Sequence, residues 1–494
     1  MFGLTSIICV LLGLLLYIVF ERKRRPGEPP LVKGWVPFLG KAFEFGKDAQ
    51  KFLSVHKEKY GDIFTIRIAG KYMTFIMDPL LYPYVIKHGK QLDFHEFSDQ
   101  VAPMTFGYPC TRDPKFPGMA EQIQRAFQYL QGDSLTSLIE SMRKNLIFLF
   151  QQDYLNVTEW RMEKMHHFCK KIMFEATFLT LFGKPPHANR HLGMDALREK
   201  FEKFDAKFPL LIMRIPISLL GETKTIRDDL INFFLPQKMA QWLDPAAFIQ
   251  QRTKLFEQYE LLGDVDIAAH HFAILWASVG NTLPASFWAM YYLVMHPEAL
   301  AVVRGEIDHV LQLTGQEAGS GHSITLTREQ LDSLVYLGST INESLRLSSA
   351  SMNIRIAQED FTLGFGGDRS IGVRKGDVIV LYPQSLHMDP EIFEDPEVFK
   401  FDRFIEDGKE KTSFYKHGQK LKFYLMPFGS GVSKCPGRYF AINEMKQFLT
   451  LLIAHFDIEI LQGEGPVKPD QSRVGLGILL PDTDIQFRYK TRIP

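Results

Sequence analysis

Cys435 is the side chain best placed to do chemistry, because it follows a loop rich in glycine. The segment 428–437 has the sequence FGSGVSKCPG. Glycine lets a backbone turn sharply and approach a flat ligand, and the start of a helix stabilises a thiolate. A thiolate pushes electron density onto a haem iron and favours O–O cleavage. The segment therefore predicts a haem contact with Cys435 as axial iron ligand, and its residues are Phe428, Gly429, Gly431, Cys435 and Gly437. A buried structural cysteine is the plainer alternative.

A second candidate group is the pair Glu343 and Arg346, which are three residues apart. At this spacing two side chains share one face of a helix and can form an ion pair. Most such pairs are solvated surface contacts worth about 0.3–0.5 kcal/mol. The spacing alone therefore indicates little. Arg403 lies further on, in the phenylalanine-rich segment 399–404.

The helix expected to lie beside such a site runs from Asp264 to His296. Its interior has the sequence WASVGNTLP over residues 276–284. Small and polar residues together with Pro284 weaken and kink a buried helix. They also leave room beside it, so the sequence predicts a long kinked helix with an open face.

Other elements follow from spacing and capping. Alternating apolar residues predict a hairpin over 64–77 and a closing strand over 485–490. Helical spacing covers 135–149 and 167–182, and a further helix begins at Pro297. Thr327 and Gln330 form a predicted capping box at the start of another helix.

Composition limits the class of protein. The chain has 494 residues, 46% of them hydrophobic, and no formal net charge. A chain of this length and hydrophobic content can bury a large core. Its zero net charge gives no indication of nucleic-acid binding. Its four cysteines are sparse and unpaired in spacing, which argues against a disulfide framework or a zinc site. They are Cys9, Cys110, Cys169 and Cys435.

The first twenty residues predict a membrane anchor. Residues 1–20 carry no charge, and the next five include four basic residues. As a helix, twenty residues would span about 30 Å, the thickness of a hydrocarbon core. The positive charge follows the apolar stretch, and no small-residue cleavage site is present, so we expect an uncleaved anchor with the rest of the chain in the cytosol. Residues 21–40 form a basic, proline- and glycine-rich strap.

The order of these motifs along the chain resembles the cytochrome P450 superfamily, and the likeness covers essentially the whole sequence. It implies a mainly α-helical fold with a smaller β region over residues 41–494. It also implies haem b as the cofactor, O₂ as the oxidant, and NADPH–cytochrome P450 reductase as the source of electrons. It also implies that Glu343, Arg346 and Arg403 form a buried structural network behind the haem. The anchor would place the protein in the endoplasmic reticulum membrane. Basic residues near the cysteine loop could face an acidic reductase, and a solvated basic surface is the plainer alternative. They are Lys409, Lys411, Lys416, Lys420 and Lys422, with Lys434 and Arg438 beside the cysteine.

The chain departs from the family pattern at the haem propionates and at the oxygen site. Ser433 stands where the family usually has Arg or His, and no W-x-x-x-R contact is evident near residues 120–135. Arg355 is the remaining candidate for a propionate. In the kinked helix, Gly280 and Asn281 stand where the family usually has an acid followed by Thr. Asn281, with Thr282 and Gly280, is therefore expected to handle oxygen, protons or a substrate hydroxyl.

Asparagine at that point resembles one branch, which contains the sterol and oxysterol 7α-hydroxylases, sterol 12α-hydroxylase and prostacyclin synthase. Segments 24–35, 327–334 and 404–409 are most similar to the oxysterol 7α-hydroxylases. The branch implies a sterol or oxysterol substrate in cholesterol and bile acid metabolism. By this resemblance, the substrate contacts are Asn281, Ser349, Ala350, Ser351, Leu476 and Ile478. Alternatives are hydroxylation of cholesterol itself at 7α or of a sterol at 12α, a prostacyclin-synthase-like peroxide isomerase without reductase, and a non-catalytic lipid or haem binding protein.

Overall fold

A computed structural model describes residues 22–34, 40–185, 190–319 and 323–493, together with Gly13. The predicted anchor, residues 1–20, otherwise lies outside the described residues. Among those described, no helix combines the length and apolar character needed to cross a membrane.

Helices make up most of the described chain. Their bounds are α1 Ala42–Lys47, α2 Ala49–Tyr60, α3 Tyr82–Ile86, α4 His95–Phe106, α5 Met119–Ala126, α6 Gly132–Asp153, α7 Met165–Leu181, α8 Arg190–Asp205, α9 Phe208–Ile212, α10 Thr223–Phe233, α11 Pro236–Met239, α12 Ala247–Phe256, α13 Asp264–Val279, α14 Thr282–Met295, α15 Pro297–Leu313, α16 Arg328–Ser333, α17 Val335–Ser348, α18 Pro383–His387 and α19 Arg438–His455.

The strands are shorter and fewer. They are β1 Leu31–Val32, β2 Ile63–Ile68, β3 Lys71–Ile76, β4 Leu92–Asp93, β5 Arg161–Lys164, β6 Asn353–Ala357, β7 Phe361–Gly364, β8 Ser370–Val373, β9 Val378–Leu381, β10 Ile405–Glu406, β11 Lys409–Glu410, β12 Tyr415–Lys416, β13 Gln419–Lys420, β14 Phe456–Ile460 and β15 Gln486–Thr491. The expectation of a mainly helical fold with a smaller β region is confirmed.

The first of two compact units comprises residues up to Phe97 with Ser351–Glu394 and Phe414–Ser433. Its six-stranded sheet has the order β1-β2-β3-β9-β6-β4. The predicted hairpin is confirmed as β2 and β3, paired antiparallel with Ile68 opposite Lys71. Ala69 and Gly70 turn the chain there, both with positive φ. Leu31 and Val32, within the predicted strap, pair parallel with β2 and so belong to the sheet.

The second unit comprises Ser98–Ala350, Asp395–Ser413 and the chain from Lys434. Helix α14 is buried along almost its whole length, and it packs against α7, α17 and α19. A three-stranded sheet, β14-β15-β5, closes the unit. The predicted helices at 135–149, 167–182 and 297, the capping box at Thr327 and the closing strand are all present.

The predicted long helix is broken rather than gently bent. Helix α13 ends at Val279 and α14 begins at Thr282, with Gly280 and Asn281 between them. Pro284 accounts for the break, because proline has no N–H and its ring would clash with the carbonyl four residues earlier, that of Gly280. In the first turn of α14 the missing N–H costs nothing, since that group lacks an intrahelical partner there. Asn281, at the break, is half exposed, and Ala277 of α13 is exposed.

Candidate functional site: a cysteine loop, a buried ionic network and a broken helix

Glu343, Arg346 and Arg403 meet in the second unit, as the resemblance implies. Arg346 donates two hydrogen bonds to the Glu343 carboxylate, Nε to Oε2 at 2.7 Å and Nη2 to Oε1 at 2.8 Å. Arg403 donates from Nε to Oε1 at 2.9 Å. The side chains of Glu343 and Arg346 are fully buried, and that of Arg403 is nearly so.

The network is also tied to the backbone that carries Arg403. Glu343 accepts a further hydrogen bond from the amide of Lys400 at 3.1 Å. Arg403 donates from Nη2 to the carbonyls of Val398 and Asp395 at 2.9 and 3.1 Å. The 395–403 segment is therefore fastened to α17 through one carboxylate. Buried charges require full pairing of this kind.

Cys435 lies two residues before Gly437, which caps the N-terminus of α19 in the second unit. It is a free, half-buried cysteine. Burial raises the pKa of the Cys435 thiol, while the backbone amides of Gly437 and Arg438 and the charge of Arg438 act to lower it. A Cβ added at Gly437 would lie 3.9 Å from Sγ. The sulfur is thus approached by amide donors, as a thiolate ligand needs.

The loop that precedes the cysteine, up to Ser433, belongs to the first unit and is held there by Arg355. This arginine is almost fully buried, and its Nη2 donates to the carbonyl and hydroxyl of Ser430 at 2.9 and 3.2 Å. Gly431 has a φ of +60°, and a Cβ there would come within 2.8 Å of Ile86. Glycine is therefore required at 431 for two reasons, its backbone conformation and this close approach.

Arg355 carries a buried charge that no described carboxylate pairs with at hydrogen-bond distance. Its Nε has no hydrogen-bond partner in the part of the chain that the structure describes. Burial lowers the pKa of the guanidinium, and the charge of Asp93 opposes that shift. An unpaired buried arginine fits an acidic ligand group. Ser433 offers no such charge, and its hydroxyl donates back to the Ser430 carbonyl at 2.9 Å.

Asn281 joins the break between α13 and α14 to the C-terminal segment. Its carboxamide Oδ1 accepts a hydrogen bond from the Ile478 amide at 2.9 Å. Gly477 makes this approach feasible, because a Cβ there would come within 2.2 Å of Oδ1. The Nδ2 donor of Asn281 has no hydrogen bond to any described residue. The amide therefore has its acceptor occupied and its donors free.

The predicted substrate contacts in the second unit cluster around the same segment. Ser349 forms an isolated bridge with Ile478, and Ala350 exchanges backbone hydrogen bonds with Gly477 and Gly475 at 2.8 and 2.7 Å. Leu476 is half exposed, whereas Thr282 is buried. Ser351 begins the next segment of the first unit.

The expectation that Lys416 faces a reductase is wrong. Lys416 is almost buried, and its ammonium group pairs with Asp389 and lies 3.7 Å from Glu391. Its charge is satisfied within its own unit, so it presents no free cation to a partner.

Sequence reasoning missed a third set of contacts, which joins Asp205, Trp276 and Arg473. The indole Nε1 donates to Asp205 Oδ1 at 2.9 Å, and Arg473 Nη1 lies 2.9 Å from Oδ2. Asp205 and Arg473 are 268 residues apart, so no spacing rule could have connected them. The only sequence signal was that tryptophan is rare, at five residues.

Comparison with known proteins agrees with this geometry. The family model described as cytochrome P450 matches residues 29–489. A Mus musculus protein named cytochrome P450 7B1 is 46% identical over 97% of this chain and 93% of its own length. A Cricetulus griseus cholesterol 7-alpha-monooxygenase is 41% identical, over 99% and 98%. A Rattus norvegicus 25-hydroxycholesterol 7-alpha-hydroxylase is 45% identical, over 84% and 99%.

The chain belongs to the cytochrome P450 family. Members of this class are monooxygenases that hold a haem through a cysteine thiolate, so this protein is a haem-thiolate oxidoreductase. The described residues fit that group at two separate places. In the first unit, the buried Arg355 has an unsatisfied donor suited to a propionate. In the second, Cys435 is a free thiol with amide donors directed at its sulfur.

Proposed function

We propose that this protein hydroxylates a sterol at the 7α position, with a side-chain oxysterol as its preferred substrate. Relatives with 45–46% identity carry the names cytochrome P450 7B1 and 25-hydroxycholesterol 7-alpha-hydroxylase. Relatives named for cholesterol 7α-hydroxylation are 41% identical, and a Sus scrofa 12-alpha-hydroxylase is 36% identical. This order of sequence identity favours an oxysterol over cholesterol as the substrate, and carbon 7 over carbon 12 as the position hydroxylated.

The structural observation that supports the proposal is the hydrogen bonding of the Asn281 carboxamide. Its Oδ1 already accepts from the Ile478 amide, whereas both N–H donors of Nδ2 remain for a ligand. A carboxylic acid would exchange protons at this place, whereas an amide cannot ionise. The arrangement suits an oxygen-bearing substrate better than a proton relay. A sterol hydroxyl oxygen, or a water bound to it, accepts from Nδ2.

Each proposed residue then has a defined task. Cys435 ligates the iron, and the amides of Gly437 and Arg438 stabilise its thiolate. Arg355 holds a propionate. Glu343, Arg346 and Arg403 keep the 395–403 segment in place. Asn281 orients the substrate, together with Ser349, Ala350, Leu476 and Ile478 of the same unit. Gly280 forms the break with Asn281, and Thr282 begins the helix that follows.

When bound, the haem would supply the activation of O₂: with two electrons from NADPH, delivered by cytochrome P450 reductase, and two protons, one oxygen atom would be inserted into a C–H bond of the sterol and the other would become water. The residues around Asn281 decide which C–H bond of the sterol faces the iron. A rigid sterol cannot change its shape, so its orientation in the site determines which carbon reacts.

The proposed setting is the endoplasmic reticulum membrane. Residues 1–20 serve as a single-pass anchor, 21–40 as the strap, and 41–494 as the cytosolic catalytic domain. Attachment of the strap supports this division. Arg22 pairs with Asp377 and lies 3.4 Å from Glu28, and Arg374 also pairs with Glu28, so the strap is bound to its own unit.

The test is turnover by the full chain in lipid vesicles with cytochrome P450 reductase and NADPH. Supplied with 25-hydroxycholesterol or cholesterol, the enzyme is expected to form the 7α-hydroxylated product, faster from the oxysterol. Hydroxylation at carbon 12 would contradict the regiochemistry. Rearrangement of a lipid endoperoxide without NADPH would assign the isomerase activity instead, and an absence of turnover with all three would leave a binding protein.

A further inference from the structure

Arg252, in α12 of the second unit, carries a buried charge with which no described carboxylate pairs. The residue exposes only 2% of its surface, and its Nε and Nη1 make no hydrogen bond within the described chain. Burial lowers the pKa of the guanidinium to about 10, and the phenol of Tyr108 opposes this shift. Asp99 also acts on the pKa of Tyr108, but its Oδ2 pairs with Arg112 Nε at 3.1 Å. A buried charge without a partner is costly, and an anion that pairs with Arg252 would remove that cost.

Three phenylalanine rings surround the Arg252 guanidinium. Its Cζ lies 5.1 Å from the ring centroid of Phe256, 5.6 Å from that of Phe248 and 5.9 Å from that of Phe127. Phe248 and Phe256 are four residues to either side on α12, so they share the helix face of Arg252. The faces of these rings attract a cation, but they supply neither a negative charge nor lone pairs for its N–H groups. The rings therefore hold the cation in place and leave its N–H groups without acceptors.

Two further polar side chains lie beside the same rings. Tyr108 and His270 stack with ring centroids 4.0 Å apart and planes 17° apart, and His270 stacks on Phe256 at 4.5 Å and 18°. His270 is buried, and its Nε2 makes no hydrogen bond within the described chain. The pKa of the Tyr108 phenol is influenced by burial and nearby charges, and no hydrogen bond to a described residue contributes. A phenol, an imidazole and a guanidinium therefore meet around the Phe256 ring.

The cluster formed by Arg252, Tyr108 and His270 carries one positive charge near neutral pH. Burial and the charge of Arg252 lower the pKa of His270 well below its usual value, and that of the adjacent His271 to about 3, so both imidazoles are neutral. Burial raises the pKa of the Tyr108 phenol, which therefore keeps its proton. One monovalent anion would neutralise the cluster. A divalent phosphate or sulfate would bring a second charge that these neutral groups do not balance.

We propose that Arg252, Tyr108 and His270 form a binding site for the carboxylate of an organic acid, enclosed by the three phenylalanine rings. The guanidinium pairs with the carboxylate, because its planar fork of N–H groups matches the two oxygens, and the phenol and imidazole donate further hydrogen bonds. Tyr108 and Phe127 are half exposed, so the cluster reaches the surface at these two rings. His270 precedes Asn281 by eleven residues, roughly 16 Å along a helix, so the site is separate from that proposed sterol contact.

Two variants of Arg252 separate its charge from its shape. Arg252→Met removes the cation and leaves an apolar side chain among the same rings. Arg252→Lys keeps the cation and loses the planar fork. The matched control is Arg488→Met, because Arg488 also lies over an aromatic ring, with its Cζ 4.6 Å from the Trp160 centroid, but pairs with Glu459 at the surface.

The measurements are thermal unfolding of the haem-loaded full chain and saturation-transfer NMR of the added acid, at an ionic strength held constant with chloride. The probes are acetate, for a small free acid, and hexanoate, for an acid with an apolar tail. A ligand that binds the folded chain raises its melting temperature. We expect a saturable rise in the wild type and in Arg488→Met, and none in Arg252→Met. Binding by Arg252→Lys should be weaker by about tenfold or more.

The size of the response to each probe identifies the source of the carboxylate. Tighter binding of hexanoate than of acetate would assign the site to an acid with an apolar tail, and equal binding would assign it to a small free acid. Without either probe, Arg252→Met should melt no lower than the wild type, because replacing a buried charge with an apolar side chain removes a desolvation cost.

Three results would overturn the inference. The first is a wild-type protein that responds to neither acid, and the second is an equal response in Arg252→Met. The third is faster loss of haem from Arg252→Met than from the wild type, which would show that the carboxylate is a propionate of the haem itself. If Arg252→Met fails to fold, Arg252→Lys, which preserves the charge, decides the matter. None of these measurements needs a sterol or turnover, so a failure of the proposed hydroxylase function would be seen separately.

Discussion

The Oδ1 atom of Asn281 accepts a hydrogen bond from the amide of Ile478 at 2.9 Å, across 197 residues of sequence. This contact joins the broken helix to the segment that borders the proposed substrate site. Oδ1 is held by this bond, and the two N–H donors of Nδ2, which bond to no described residue, remain for a ligand. The chemical character of the site follows from that asymmetry.

Asn281→Asp should separate these two roles. The carboxylate keeps an acceptor for the Ile478 amide but loses the Nδ2 donors, so hydrogen exchange at Ile478 should stay slow while sterol binding weakens by about tenfold, the value of one hydrogen bond. Asn281→Ala loses both and should also expose Ile478 to exchange. Optical titration and exchange measure the two effects. Sterol binding equal to that of the wild type in Asn281→Asp would rule out the donor role.

Glu343→Gln should abolish stable folding around the haem. One carboxylate neutralises two buried guanidinium groups, and removing one partner of a buried pair costs about 3–5 kcal/mol. Glu459→Gln is the control, because Glu459 pairs with Arg488 at 2.6 Å with both side chains about half exposed, and such pairs contribute less than about 1 kcal/mol. Thermal unfolding and haem content report the result. Equal melting temperatures for both variants would contradict a structural role for the network.

Glu444 should make stability depend on pH. Burial raises its pKa from 4.5 to about 8, although Thr177 donates to the carboxyl. Between those values the folded protein keeps a proton that the unfolded chain has released, so stability falls as pH rises through this window. Relative to the wild type, Glu444→Gln should gain roughly 3–4 kcal/mol of stability between pH 5 and pH 8. Unfolding curves that stay parallel from pH 5 to 8 would exclude a protonated Glu444.

Arg355→Met should loosen the haem. The change removes the buried cation and leaves an apolar side chain of similar length, and a hydrogen bond to a charged group is worth about 1.5–3 kcal/mol. Haem transfer to a competing apoprotein should accelerate by about tenfold or more. Arg369→Met, at an exposed position of the same unit, is the control. A transfer rate unchanged from the wild type would remove Arg355 from the haem site.

The parts of the fold set by local sequence were predictable. Alternation predicted a hairpin over 64–77, which the structure places at 63–76, and Thr327 with Gln330 formed the expected capping box. Pro284 predicted a disturbance in the long helix, although it produced a complete break. Family likeness, rather than spacing, connected Glu343 with Arg403.

The parts set by tertiary contact were not predictable. Nothing in the sequence near Asp205 indicates Arg473 as its partner, and nothing near Lys416 indicates that Asp389 neutralises it. The free and occupied atoms of Asn281 depend on Gly477, whose missing side chain is meaningful only once the two segments meet. Such pairs arise from how elements pack, which no single segment encodes.

The most direct test of the account is the difference spectrum of the reduced protein with carbon monoxide. It is recorded for the wild type, Cys435→Ala and, as a control, Cys110→Ala, which removes another half-buried free cysteine. We predict a strongly red-shifted Soret band in the wild type and in Cys110→Ala, because the thiolate donates to the iron. The band should be absent from Cys435→Ala. A red-shifted band that persists in Cys435→Ala, or that is missing from folded wild-type protein supplied with haem, would contradict Cys435 as the iron ligand.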